Sequence, residues 1–184
     1  MKKITAVIAV LICLWCVQCA EKDTTFLITP ERVGKLDKIS LVSDLDLIYA
    51  NDSVVKDTFR LNVGSKTRKI KIYEKGGKHL LTLTPNQDSI PTIENIQIFD
   101  PRFRTAKGIG LNANFKKIQT NHSIKKIVTT LHSVVIFLKD SDMYFTIDKR
   151  ELPANLRFTT SSIEAVQIPD EAKIKYFMIG WDQN

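Results

Sequence analysis

Past position 19 the chain has no cysteine: its three thiols stand at Cys13, Cys16 and Cys19 of 184 residues. The remainder is therefore excluded from disulfide frameworks and cysteine metal sites. Histidine is as scarce, and His79, His122 and His132 form no His-x-His or His-Glu-x-x-His spacing, so no metal centre or cofactor is predicted. Glycine is sparse too. Gly108-Ile-Gly110 precedes a helical stretch but lacks the third glycine of a phosphate cradle, so a tight turn with close backbone approach is expected there. Asp44/Asp46 and Asp140/Asp142 lack the following glycine and distal Glu of a calcium loop. No serine sits in a Gly-x-Ser-x-Gly or Ser-x-x-Lys context.

Long apolar runs are also absent, apart from Ile4 to Val17, which is short for a bilayer span. Placed after Met1-Lys2-Lys3, it has the charged-then-apolar order of a secretory signal, which we assign to residues 1–18. The sequence Cys16-Val-Gln-Cys19 resembles a bacterial lipobox. That resemblance implies a lipid on Cys19, a tether over 19–25, and a membrane partner reached through the anchor. It also implies a cell-envelope location on the inner or outer membrane, facing the periplasm or the cell surface; the alternative is a soluble periplasmic or secreted protein.

The formal net charge of +7 falls to about +5 once Lys2 and Lys3 are removed. Its lysines and arginines are scattered and accompany no nucleic-acid motif, so no nucleic acid is expected as a partner.

What the chain does have is internal repetition. The stretch Ile109 to Lys126 matches Ile39 to Lys56, about seventy positions upstream, at Ile39/Ile109, Leu41/Leu111, Ile48/Ile118, Asn51/Asn121, Ser53/Ser123 and Lys56/Lys126. Each copy opens with an apolar strand (Phe26-Leu-Ile28; Ile93 to Asp100) and passes a glycine-bearing turn into a short helix. One helix is capped by Ser43-Asp44 with Leu45, Ile48 and Tyr49 on its apolar face. Its counterpart is capped by Asn112 or Asn114, with Phe115 and Ile118 facing inward. Extended segments follow (Val54 to Leu61; Ile124 to Leu131), then hairpins: Arg68 to Glu74 with His79 to Thr84 around Lys75-Gly-Gly-Lys78, and Val134 to Leu138 with Met143 to Ile147 around Lys139 to Asp142.

Val134 to Leu138 is apolar throughout, which predicts a central strand buried on both faces. The first copy is longer by a six-residue insertion near Asn62 to Thr67. Asp148 to Leu156 reads as a short helix broken by Pro153. Ser162 to Asp170 repeats Thr92 to Asp100, so it is expected to close the second unit with the same type of strand, and Lys173 to Trp181 supplies a last strand. The fold class is thus α+β, mostly antiparallel sheet with short helices. It is built from two tandem strand-helix-three-strand repeats of about 70 residues in one duplicated domain, 26–184 (repeat one 26–92, repeat two 93–161, closing strands 162–181).

Two sets of residues stand out for binding. Glu94 and Glu164 recur at equivalent places in the repeated strand and face solvent from its polar side. On the closing strand, Tyr176 and Trp181 are the aromatics expected to contact a partner.

The lipobox-like start, the Ile-Thr-Pro-x-x-Val-Gly segment at Ile28 to Gly34, and Ile-x-x-Ile-x-Ile at Ile93 to Ile98 followed by Gly108-Ile-Gly110 resemble small uncharacterised envelope lipoproteins of Gram-negative bacteria. In architecture, a helix and antiparallel strands made twice, the chain is similar to the duplicated β-lactamase-inhibitor type of binding protein. The resulting expectation is a non-enzymatic envelope lipoprotein that binds another envelope protein. The alternatives are a small-ligand or enzymatic site at the repeat junction using Glu94 and Glu164, or an inhibitor of a periplasmic enzyme.

Overall fold

A computed structural model of the protein describes residues 23–56 and 69–181. The signal peptide, Cys19, most of the tether, the Asn62 to Thr67 insertion and the end of the Val54 to Leu61 segment lie outside the described residues.

Alternating apolar residues organise the main sheet. Its eight strands are β4 (Ser53–Lys56), β5 (Ile70–Tyr73), β6 (His79–Pro85), β7 (Ile93–Ile98), β9 (Ile124–Thr129), β10 (Ser133–Leu138), β11 (Met143–Asp148) and β12 (Ile174–Gly180). Their spatial order is β4-β5-β6-β7-β12-β11-β10-β9, antiparallel throughout. One side of this sheet carries an unbroken register row, Val54, Ile72, Leu81, Ile98, Phe177, Phe145, Ile136 and Ile127, one residue from each strand. That inner face is covered by a second sheet of β1 (Leu27–Thr29), β2 (Arg32–Val33), β3 (Leu36–Asp37) and β8 (Arg104–Thr105), ordered β3-β2-β1-β8. Helices α1 (Leu45–Ile48) and α2 (Phe115–Asn121) complete the layer. Ile28, Val33, Leu36, Leu45, Phe115 and Ile118 join the sheet residues in a single core. The fold is α+β and mostly antiparallel, as the periodicity predicts.

Local chemistry explains the helix ends. Asn114 is the cap of α2: its side-chain oxygen accepts the Lys117 N–H at 3.0 Å. Phe115 and Ile118 are buried on one face, as expected. The start of α1 is looser. A 3-10 turn, Val42–Asp44, leads into it, and neither Ser43 nor Asp44 makes a side-chain bond to its free N–H groups. Ahead of each helix an isolated bridge ties it to the sheet, Leu41 to Thr92 in one case and Asn114 to Lys173 in the other.

Three expectations are corrected. Ser162 to Asp170 is not a strand: Ala165–Gln167 is a 3-10 helix, with Gln167 Oε1 accepting the Glu164 N–H at 2.8 Å in a capping box. The sequence match to Thr92 to Asp100 is therefore local likeness without shared conformation, and the strand antiparallel to β7 at mid-sheet is β12. Val134 to Leu138 is not buried on both faces either. Only Val134, Ile136 and Leu138 are buried, and β10 lies one strand in from the edge strand β9. Val135 and Phe137 point outward, half-buried, with no described element layered over them. Asp148 to Leu156 is two 3-10 turns, Lys149–Glu151 and Ala154–Leu156, on either side of Pro153.

At one end of the sheet an ion cluster replaces apolar packing. Asp100 is fully buried, and Arg102 grips it through Nη2 at 2.6 Å while reaching Glu74 with both terminal nitrogens, at 2.9 and 2.8 Å; Lys78 adds a 3.0 Å contact. Burial by itself would raise the Asp100 pKa, but the hydrogen bonds from Arg102 and Lys78 outweigh it and hold the carboxyl down at about 2. The Arg102 guanidinium also lies 4.1 Å from the Phe26 ring centroid, which joins the small sheet to this cluster.

Because the folded-state pKa of Asp100 is depressed, its stabilisation is complete above the unfolded value near 4 and is lost as pH falls toward 2. Urea midpoints should therefore drop for the wild type between about pH 4 and pH 2, and Asp100→Asn should flatten part of that slope while lowering stability at pH 7 by about 2 kcal/mol or more. An unchanged acid slope would show that Asp100 is not the linked group. Backbone fit makes a second expectation. Gly34 has φ +60, and a Cβ there would lie 2.4 Å from Thr25 O, whereas Gly77 has φ +90 with nothing within 4 Å. Gly34→Ala should cost about 2 kcal/mol or more and Gly77→Ala about 1 kcal/mol, both read from urea unfolding.

Candidate functional site

Among the described residues no element layers over the outer face of the main sheet, and its register row differs from the inner one. It runs Val55, Lys71, Thr82, Gln97, Met178, Tyr144, Phe137 and Lys126. From β4 to β7 the row is largely polar. Across the β7–β12 seam it becomes apolar and aromatic before ending on Lys126.

On that second side lies an open hollow of about 600 Å³, within the range of small-ligand sites. Its walls come from five strands and one turn: Glu94 and Asn95 of β7, Gly180 of β12, Tyr144 of β11, Phe137 of β10, Lys125 and Lys126 of β9, and the Ser141–Asp142 turn. Tyr144 and Phe137 stack at a centroid separation of 5.3 Å, and Lys126 Nζ lies 4.9 Å from the centre of the Phe137 ring. Asn95 Nδ2 donates to the Tyr144 hydroxyl at 2.5 Å, a bond that spans the seam. The bond passes over Gly180, where a Cβ would stand in ordinary contact, 3.5 Å from Tyr144 Cε1 and 3.7 Å from Asn95 Nδ2. Asp142 is held by Lys38 at 3.0 Å.

This arrangement offers an aromatic surface, an amide, the Glu94 carboxylate and two ammonium groups to one ligand or peptide segment. The strongly displaced carboxylates lie elsewhere. Asp100 belongs to the cluster around Arg102, and Asp148 is held well below the usual carboxylate range by hydrogen bonds from Arg150 and Lys175. Among the described residues no three His, Cys, Asp or Glu side chains come together as a metal site, and no helix is long and apolar enough to cross a membrane.

The four binding residues picked from sequence fare differently. Glu94 is exposed and lines the hollow. Glu164 is exposed on the segment beside β9, where the Ile163 N–H donates to Thr129 Oγ1, and β12, β11 and β10 stand between β9 and β7. The paired-carboxylate site is thus not assembled. Tyr176 is 42% exposed on the outer face, as expected. Trp181 is fully buried, its backbone N–H donating to Glu94 O at 2.7 Å, so it belongs to the core and offers no partner contact. It follows Gly180 at the seam, where closure of the core takes it in.

Sequence reasoning missed Asn95, Phe137, Tyr144 and Lys126. Phe137 sits in an all-apolar run with no alternation to show which residues point outward, and Asn95 meets Tyr144 only through tertiary pairing.

No protein-family model matches this chain, and no curated protein matches it. Among solved structures, it is similar to that of the uncharacterised protein yfeY from Escherichia coli, with a TM-score of 0.54 and 12% sequence identity over 83% of this chain and 98% of that one. At that identity the likeness concerns the fold.

Proposed function

We propose that the protein is a non-enzymatic, lipid-anchored envelope protein that binds another envelope component through the outer face of its main sheet, at the seam between two duplicated halves. The observation that carries the binding face is the change along the outer row: Met178, Tyr144 and Phe137 face outward beside the hollow, whereas β5, β6 and β7 present Lys71, Thr82 and Gln97. Uncovered apolar surface ringed by polar groups is a common mark of an interaction site.

Several features support the duplication. The two hairpins share a register: Ile72 pairs with Leu81 and Lys71 with Thr82, while Ile136 pairs with Phe145 and Val135 with Thr146. Thr82 and Thr146 are both buried outer-face threonines. The helices open on Leu45 and Phe115, about seventy positions apart, and each has its bridge to the sheet just ahead of it. In this reading the inner rows were kept apolar for the core while the outer rows diverged, and only the second half acquired a binding face. The anchor reading rests on Cys16-Val-Gln-Cys19.

A photo-reactive phenylalanine analogue at position 144 or 137 should give a discrete cross-linked partner in envelope preparations, and the same analogue at position 71 should not. Equal cross-linking from both halves, or none from 137 and 144, would rule out the outer-face site. For the anchor, Cys19→Ala should move the protein from the membrane to the soluble fraction, and mass spectrometry of the wild-type amino terminus should find a diacylglyceryl group on Cys19. A wild-type terminus without lipid would remove this part of the proposal.

A further inference from the structure

Two of the most exposed large apolar side chains occur on neighbouring turns. Phe158 is 92% exposed and Leu131 70% exposed. One residue holds their turns together: Lys149, itself buried, points its ammonium at Thr159 O at 2.5 Å and Leu131 O at 3.4 Å, with no carboxylate partner. A buried ammonium is costly to desolvate, and here its hydrogen bonds go to backbone carbonyls of two turns that display apolar tips.

The position of these tips is informative. Ile98, Phe177, Phe145 and Ile136 share one row, and beyond it on the same side lie Asp100, Ile174, Asp148 and the β9–β10 turn that carries Leu131. The same end receives the start of the described chain, since Arg104 N–H donates to Phe26 O at 3.0 Å and Arg102 covers the Phe26 ring. Most acids here are engaged: Asp148 by Arg150 and Lys175, Asp100 and Glu74 by Arg102, and Glu151 by the Lys173 N–H; Glu164, next to Ile163 at Thr129, is exposed and in no ion pair among the described residues. Among the described residues Arg157, next to Phe158, bonds Leu152 O and no carboxylate, and Lys75 and Lys173 have no carboxylate partner.

From this geometry we propose that the Leu131 and Phe158 turns, clasped by Lys149, form a membrane-contacting patch that dips into the interface of a bilayer bearing anionic headgroups. The two side chains supply apolar insertion, while Arg157 and Lys173 supply attraction to the headgroups. The inference rests in part on the lipid-anchor reading, because Phe26, near the start of the described chain, lies at the end of the sheet where the patch lies. It adds a second contact that sets the orientation of the domain, with the β10–β11 turn and the hollow beside it directed away from the lipid.

The test uses the full chain in a Trp15→Phe background, where Trp181 is buried in the core, with a single reporter introduced as Phe158→Trp or Val166→Trp. Val166 is 86% exposed, and its neighbour Ala165 lies by Ile124 at the other end of β9. The vesicles contain phosphatidylcholine with phosphatidylglycerol, with and without brominated acyl chains. The Phe158→Trp emission should shift to the blue and lose intensity to the brominated chains, more strongly with more phosphatidylglycerol and less at high salt, while Val166→Trp emission stays unchanged. Quenching of neither reporter, or of both alike, would overturn the patch. Mass spectrometry of the wild-type amino terminus reads the lipid on Cys19 separately, so the anchor and the patch can each fail alone.

Discussion

The eight-residue apolar row on the inner face is the constraint on which this molecule depends. Every strand of the main sheet contributes one member, from Val54 at one edge to Ile127 at the other. Because side chains alternate along a strand, a one-residue slip in any pair would turn an apolar residue to water and a polar one to the core. Register across the sheet is thereby set by burial, even where bulges interrupt β5–β6, β11–β12 and β9–β10. The small sheet and the two short helices are needed to cover that row. A four-residue helix such as α1 has little stability of its own, and it persists because Leu45 and Tyr49 are buried beneath it.

Polar groups take over where the apolar row ends. Arg102, Asp100, Glu74 and Lys78 close one margin, Asp148 with Arg150 and Lys175 lies further along it, and Lys149 clasps two turns. These contacts are local ties with partners, so they leave the outer face free of structural demands. Phe137, Tyr144 and Met178 stand on that outer face, where no described element packs over them, so the inner core does not explain them.

Much of the architecture was legible. The alternation in Arg68 to Glu74, the Lys-Gly-Gly-Lys turn, the Asn114 cap and the period of the helices all correspond to described elements. Gly108, with φ +71, and Gly110, where a Cβ would lie 2.6 Å from Phe103 O, form the tight turn expected of them. The candidate site was harder to read. Glu94 was singled out for its match to Glu164, yet Glu164 opens a 3-10 turn, because a capping box with Gln167 satisfies its backbone where a strand partner would otherwise be needed. Trp181 was singled out as an aromatic of the closing strand, but a place on that strand does not say whether a side chain faces solvent or the core, and Trp181 is fully buried.

By itself, the sequence determined the class of the fold, the positions of the hairpins and of the two helices, and the alternating apolar residues of the inner row, because these follow from spacing along a chain segment and from the few residues that tolerate a turn. The tertiary structure alone decided that β7 and β12 meet at mid-sheet, that Asn95 reaches Tyr144 over Gly180, and that Leu131 and Phe158 share an end of the molecule. Those contacts join residues far apart in sequence, where no local period records the pairing. Only the order of strands, chosen by burial of the whole inner row at once, brings them together.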